Sequence, residues 1–352
     1  MRCDGDPGAA RAPSSVAPRR RRTRSSPVQN EIRSLQVVDL IGPDGLRLRA
    51  APRPGPGDGD VVVDVRAAGV TFPDLLLTRG LYQQRPDLPF APGLEVAGVV
   101  ATAAADSGFA AGDRVIAYTG TGGYAEAVAV PAHHVVPLSP DTDFVVGVTL
   151  MVNYQTAYFC LVERGRLSAG ETIVVHGAGG GVGTAAIQVA LGVGARVIAV
   201  VSDDAKEEVA RRAGATEVLR TSSWQSEIGE LTDGGPAVVY DPVGGARFEE
   251  SVRVLRPGGR ILVIGFASGS IPQIAGNRLL LRNIEVVGGA WGHFIPHDPG
   301  MPRRVGAALD TMLASGVVRP LVEAVYPLAD GAAALRDMEA RRTRGKSVLV
   351  VG

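Results

Sequence analysis

Two rhythms of apolar and polar positions divide the chain. From about Leu35, short apolar runs are broken every few residues by glycine and proline. Examples are DVVVDVRAAGV (60–70), EVAGVVATA (95–103), DRVIAY (113–118) and YAEAVAV (124–130). Short strands at this spacing predict a partly open β-barrel. Further on, ETIVVHG and RVIAVVS read as strands, each followed by a helical pattern, VGTAAIQVALGVG and DAKEEVARRAG. AVVYDPVGG, RILVIGF and IEVVGGA continue the strands. Strand–helix alternation over about 120 residues predicts a parallel, doubly wound α/β sheet. The final runs, LVEAVYPL and GKSVLVVG, are two more strands that return to the first domain. No internal repeat is visible.

Residues 1 to about 32 have neither rhythm. They are rich in Pro, Ser and Arg and read as a disordered tail. Residues 1–30 hold seven Arg and two Asp, a net of +5; the whole chain is neutral, so the remainder carries about −5. Global charge therefore draws the protein neither to nucleic acid nor to a membrane surface. Cys3 and Cys160 are the only cysteines, too few for a disulfide framework or a Cys-rich zinc cluster, which points to a reducing, cytoplasmic setting. No apolar run is read as membrane-spanning, and no apolar segment follows the arginines as an export signal requires. The length suggests two domains.

The chemistry is concentrated in HGAGGGVG, 176–183, between a strand and a helix. A dinucleotide loop needs a tight turn, a backbone that approaches a pyrophosphate without Cβ atoms, and the free N–H groups of a helix start. Gly179, Gly180 and Gly181, with Val182, supply the close approach, and Gly183 lets the helix pack on the strand. Ala178 stands where the usual pattern has its first glycine, and Gly177 takes over the turn. His176, just before it, reads as a packing or hydrogen-bonding residue.

An NAD enzyme places a carboxylate at the end of the second strand, on the ribose 2′-OH. That slot is Val201 here. Ser202 follows it, and Lys206 opens the next helix. A hydroxyl and an ammonium suit a 2′-phosphate, which favours NADPH. Asp203 and Asp204 bring opposing charge, unless they turn outward to cap the helix.

From about residue 35 to the end, the chain resembles the zinc-independent quinone oxidoreductases of the medium-chain dehydrogenase/reductase superfamily. The resemblance rests on AAGVTFPDLLLTRGLYQQRPDLPFAPGLEVAGVV, GDRVIAYTGTGGYAEAVAV, NYQTAYFCL, the glycine loop, DPVGGARFEESVRVLRPGGRILVIGF and RTRGKSVLV, in that order. It implies a GroES-like catalytic domain over 33–150 and 291–352 and a Rossmann NADPH-binding domain over 151–290. It also implies a homodimer through the edge of the Rossmann sheet. Cofactor contacts would come from the glycine loop, Asn153, Thr156, Ser202, Lys206, Gly265, Phe266 and Lys346. Thr71 and Tyr82 would face the nicotinamide or the substrate. Where some members carry Asn and a second Tyr, this chain has Thr71 and Leu76.

The zinc branch of the superfamily uses a Cys and the His of a Gly-His-Glu. Here those stretches read GVTFPD and GLE, with Leu94 in place of His. Neither a thiolate nor an imidazole is present, whereas catalytic zinc needs three protein ligands. Pro296 interrupts the His293–His297 pair, and His133–His134 sit at a strand end, so no metal is expected. Without a metal to polarise a carbonyl, the expected reaction is hydride transfer from NADPH to a quinone or conjugated enone, with solvent or Tyr82 supplying a proton. Tyr82 also reads as an aromatic packing residue at the cleft. An enoyl-thioester reductase is the alternative enzyme, and a redox-sensing or nucleic-acid-associated NADPH protein the alternative class.

Overall fold

The computed structural model describes residues 31–352, and the tail expected over residues 1–30 lies outside them. Glu31 and Ile32, expected in that tail, already belong to a strand. β1 (Glu31–Val37) pairs antiparallel with β2 (Leu46–Pro52), and Ile32 is buried.

Strand β3 (Asp60–Val70) is the centre of the first domain. Its valines and alanines are buried because Val61, Val63, Val65, Ala68 and Val70 pack into one apolar cluster and Ala67 into another, while its backbone pairs with β4 (Glu95–Ala103). The sheet continues through β5 (Arg114–Tyr118), while β6 (Ala127–Pro131) pairs back onto β3 and β7 (Val135–Pro137) closes against β5.

The second sheet is parallel throughout. It comprises β8 (Thr172–His176), β9 (Arg196–Val201), β10 (Glu217–Arg220), β11 (Val238–Asp241), β12 (Arg260–Val263) and β13 (Glu285–Gly288), in the order β10-β9-β8-β11-β12-β13. Parallel strands covered on both faces read as continuous apolar runs; Ile173 to Val175 and Val238 to Tyr240 have no exposure at all. The chain leaves β8 in opposite directions on its two sides, which opens a crevice between the carboxyl ends of β8 and β11.

The last strands return as expected. β14 (Val322–Pro327) pairs parallel with β15 (Lys346–Val350), and β15 pairs antiparallel with β3. The first sheet is thus built from both ends of the chain.

Between the two sheets runs a helix, Phe144–Arg164, with π-helical segments at Leu150–Tyr154 and Phe159–Arg164. It is long and apolar enough to cross a membrane, a property the sequence reading passed over. Its apolarity has a packing reason, since Leu150, Met151, Ala157, Cys160 and Leu161 are buried in a core that joins the two domains. π segments widen a helix locally and concentrate at functional sites.

Candidate active site

The turn after β8 falls on Gly177, with φ +61, a conformation that glycine adopts without strain. Ala178 is fully buried and donates its N–H to the Val200 carbonyl at 3.3 Å, so a methyl group fits the slot usually held by glycine. Gly180 caps the helix Gly181–Val193. A Cβ on Gly179 would lie 2.5 Å from Lys206 Cβ, one on Gly181 2.3 Å from Asn153 Nδ2, and one on Gly183 2.2 Å from the Gly177 carbonyl oxygen. Lys206, Asn153 and the loop's own backbone therefore wall the cradle on three sides. Val182 packs down into the shared core. The first-turn N–H groups have no acceptor within the helix, and an anionic pyrophosphate could satisfy them. The residues present fit a nicotinamide dinucleotide.

At the end of β9, Val201 is buried and offers no oxygen to a ribose. Lys206 Nζ donates to Ser202 Oγ at 3.0 Å, so the two residues do converge. Asp203 caps the helix Asp204–Arg212, accepting from Lys206 N at 3.0 Å. It does not turn wholly outward, however. Its other oxygen accepts from Ser202 Oγ at 2.7 Å and lies 3.3 Å from Lys206 Nζ. The Ser202 hydroxyl, before any other contact, holds the Asp203 carboxyl below its ordinary range. Asp204 is fully exposed and pairs with Arg220.

Asn153 lies in the π segment, 4% exposed, with its amide against Gly181; Thr156 follows one turn later and is also buried. Beyond β11 and β12 two loops fold over each other. Asp241 Oδ1 accepts from Val243 N and Gly244 N, both at 2.9 Å, and Phe266 Cδ1 lies 3.0 Å from where a Gly244 Cβ would stand. Gly265 carries the chain under Pro242, with the Pro242 carbonyl 3.4 Å from its Cβ position.

Facing this cradle, the barrel contributes a buried polar network that sequence reasoning missed. Asp74 has no exposure. It accepts from Thr71 N at 2.8 Å, Thr71 Oγ1 at 2.6 Å, Gly93 N at 2.8 Å and the Tyr124 hydroxyl at 3.1 Å. Burial raises its carboxyl against the pull of these donors and of Lys346. Thr71, expected to face the nicotinamide, spends its hydroxyl proton on Asp74 and caps the helix Phe72–Thr78. Tyr82 is half-buried near Asp74, and burial, then the Asp74 charge, push its phenol up.

Lys346 departs from its expected role. Its ammonium is 4% exposed and pairs with Glu95, which has no exposure. It is therefore not available to a cofactor phosphate. Glu95 Oε2 also accepts from Val152 N at 2.7 Å, next to Asn153, and Gly345 N donates to the Gly179 carbonyl at 2.9 Å. The last strand thus braces the cradle instead of binding the ligand. A signal was present: Glu95 and Lys346 each head an otherwise apolar strand, where a buried charge requires a partner.

His176 is buried, with Nε2 2.9 Å from Ser251 Oγ and its ring edge-on to Trp224 at 4.7 Å. Burial, reinforced by Arg247, lowers its pKa to about 3. The unfolded chain takes up a proton near pH 6.5 that the folded one refuses, so stability is full above that value and falls as pH drops toward 3. The limiting slope is about 1.4 kcal/mol per pH unit. Urea unfolding between pH 4 and 7 is expected to show this slope, and His176→Gln to flatten it. Among the described residues, no group of three or more His, Cys, Asp or Glu is arranged to hold a metal ion.

A glycine cradle at the switch point of a Rossmann sheet, roofed by a GroES-like barrel, defines a two-domain nicotinamide-dependent oxidoreductase. Residues 57–140 match the family described as "Alcohol dehydrogenase GroES-like domain", and residues 181–306 the one described as "Zinc-binding dehydrogenase". The chain is 36% identical to "Quinone oxidoreductase-like protein 2" of Rattus norvegicus, over 85% of this chain and 87% of that protein. Two solved structures are similar. A probable oxidoreductase from Mycobacterium abscessus is 43% identical, with a TM-score of 0.83, over 91% of this chain and 99% of the other. A mycobacterial protein complexed with NADPH is 31% identical, with a TM-score of 0.85, over 91% and 100%. The chain belongs to the medium-chain dehydrogenase/reductase superfamily, in its quinone oxidoreductase-like branch. It is an NAD(P)-dependent oxidoreductase acting on a small molecule.

Proposed function

We propose that this protein transfers hydride from NADPH to a quinone or conjugated enone without zinc. The observation that carries this reading is the wall opposite the glycine cradle. Where a metal-assisted site needs a thiolate and an imidazole, this chain offers Thr71, already bonded to Asp74, and Leu94, buried in the apolar core. Such a wall supplies no strong Lewis acid, so the acceptor must be electrophilic already. Positioning against the nicotinamide then does most of the work. When bound, the dinucleotide supplies the hydride. The first turn of helix Gly181–Val193 would hold its pyrophosphate, and Asn153 and Thr156 would orient the nicotinamide half. Gly265 and Phe266 would close over it, and Tyr82 would border the acceptor.

NADPH is favoured over NADH by the Ser202–Lys206 pair beside Val201, and a solved relative is complexed with NADPH. An incoming 2′-phosphate would displace Asp203 from Lys206. One charge-assisted hydrogen bond is worth about 1.5–3 kcal/mol, so Lys206→Ala is expected to weaken NADPH binding roughly ten- to a hundredfold and leave NADH unchanged. Steady-state rates with both cofactors against a quinone and enone panel test the whole reading. Preference for NADH, or turnover of neither acceptor class, would overturn it.

A homodimer through the edge of the Rossmann sheet belongs to the same proposal. β13 is the outer strand; Val286 within it and Leu280 and Leu281 just before it stand exposed, the last two by 74% and 76%. An open strand edge next to exposed leucines invites pairing with a second copy. Sedimentation is expected to show a dimer that Leu281→Glu dissociates, and a monomeric wild type would refute it.

A further inference from the structure

We infer that Tyr118 is a further catalytic residue, whose hydroxyl donates a hydrogen bond to the acceptor oxygen that becomes negative during hydride transfer; this deepens the function proposed above and rests on it. Tyr118 ends β5 on the barrel side of the cleft. Its ring meets Trp291 edge-on, centroids 5.2 Å apart and planes at 79°. Trp291 follows β13 at the carboxyl end of the Rossmann sheet, where bound ligands lie. Tyr118 therefore stands where the barrel meets the segment that leaves the Rossmann sheet, on the side where the nicotinamide half would lie.

The ring is buried, at 8% exposure, but its hydroxyl is left without a fixed partner. It has no hydrogen-bond partner among the described residues, yet it is not among the fully enclosed polar atoms. Gly292 lies against it, where an added Cβ would stand 2.9 Å from the oxygen. A side chain there would cover the group, and glycine leaves it uncovered. The phenol is also held in place from behind, since His134 Nδ1 lies 3.1 Å from the Tyr118 carbonyl and the two rings are 5.4 Å apart. Tyr82 and Asp74 lie close enough to act on it electrostatically. Burial first, then those two neighbours, push its pKa up to about 12. It stays protonated across the working range and is a donor, not an acid.

The balance is simple. The hydride carries two electrons to the acceptor and leaves the nicotinamide oxidised. The acceptor becomes a hydroquinone monoanion or an enolate, and solvent adds the final proton. Tyr118 loses no proton. Preorganised donors aimed at a developing oxyanion are among the strongest contributors to such reactions.

The test uses 4-nitrophenolate as a chromophoric oxyanion, titrated into the full chain with saturating NADP+. Wild type is expected to bind it with a shifted absorbance. Tyr118→Phe should bind it about tenfold more weakly, with unchanged thermal midpoint and NADP+ affinity. Gly292→Ala should give a similar loss by crowding the hydroxyl. No binding to wild type, equal binding to Tyr118→Phe, or a loss seen only in Tyr82→Phe would overturn the assignment. Quinone and enone turnover is read separately. If the probe behaves as expected but nothing is reduced, the proposed reaction fails and the oxyanion site stands. If quinones are reduced but Tyr118→Phe changes neither probe affinity nor kcat, the site fails and the reaction stands.

Discussion

Gly183→Val is expected to raise the dissociation constant for the nicotinamide dinucleotide by more than about a hundredfold, a loss of roughly 2.7 kcal/mol, and to destabilise the fold as well. A Cβ at this position would lie 2.2 Å from the Gly177 carbonyl oxygen and 2.7 Å from Ala178 Cα. Both are backbone atoms, so no rotamer change relieves the overlap. Either the helix lifts off β8 or the turn at Gly177 opens. In both cases the first-turn N–H groups lose their aim at the pyrophosphate. Gly229, in the helix Trp224–Leu231, is the control. A Cβ there meets nothing within 4 Å, so Gly229→Ala is expected to stabilise the fold by about 0.5–1 kcal/mol through helix propensity alone. Fluorescence titration and thermal unfolding of the two variants check the contrast. Equal cofactor affinity in Gly183→Val and wild type would refute it.

The second large effect concerns Lys346. Lys346→Met leaves the Glu95 carboxylate buried without its cation, which is expected to cost about 3–5 kcal/mol of stability. Adding Glu95→Gln should restore most of it, because two neutral groups of similar shape carry no uncompensated charge. Burial already holds the Glu95 carboxyl above its ordinary range, with Lys346 opposing. In Lys346→Met only that opposition is lost. A carboxyl raised in the fold contributes stability below its unfolded pKa and loses it as pH rises through the folded value. The variant should therefore weaken toward neutral pH, opposite in sign to the His176 effect. Cofactor affinity should fall too, since Glu95 also holds Val152 N, beside Asn153. Urea unfolding of the single and double variants from pH 4 to 8 measures all three. A stable Lys346→Met with normal affinity would refute the bracing role.

What could be read in advance follows the distance between partners along the chain. Most strands of the two sheets were legible because each is a short apolar run, whereas the three-residue β7 and the mixed EVLR of β10 are too short or too polar to stand out. The helix Phe144–Arg164 was recognised only as a family segment, NYQTAYFCL. Its length was hidden because Asn153, Gln155 and Thr156 interrupt the apolar pattern, and they do so because they face the cleft and a neighbouring helix instead of the apolar core. Gln155 donates to the Pro302 carbonyl at 3.0 Å, a contact 147 residues away. β1 was not read as a strand, and its first two residues fell inside the stretch assigned to the tail, because EIRSLQV is short and mixes charged with apolar positions.

The sequence alone determined the glycine loop between strand and helix, the missing carboxylate at Val201, the nearness of Ser202 to Lys206 and the missing imidazole at Leu94. Each of these is set within one strand–turn–helix unit, where spacing fixes geometry. Only the tertiary structure decided that Lys346 braces the cradle against Glu95, that Asp74 gathers Gly93 and Tyr124 as well as Thr71, and that Tyr118 packs on Trp291. Lys346 and Glu95 are 251 residues apart, and Tyr118 and Trp291 meet from the neighbourhoods of different sheets, far apart along the chain. A side chain's chemistry is spent on whatever partner folding brings to it. For residues whose partners lie that far away, residue type and spacing carry no record of which partner that is.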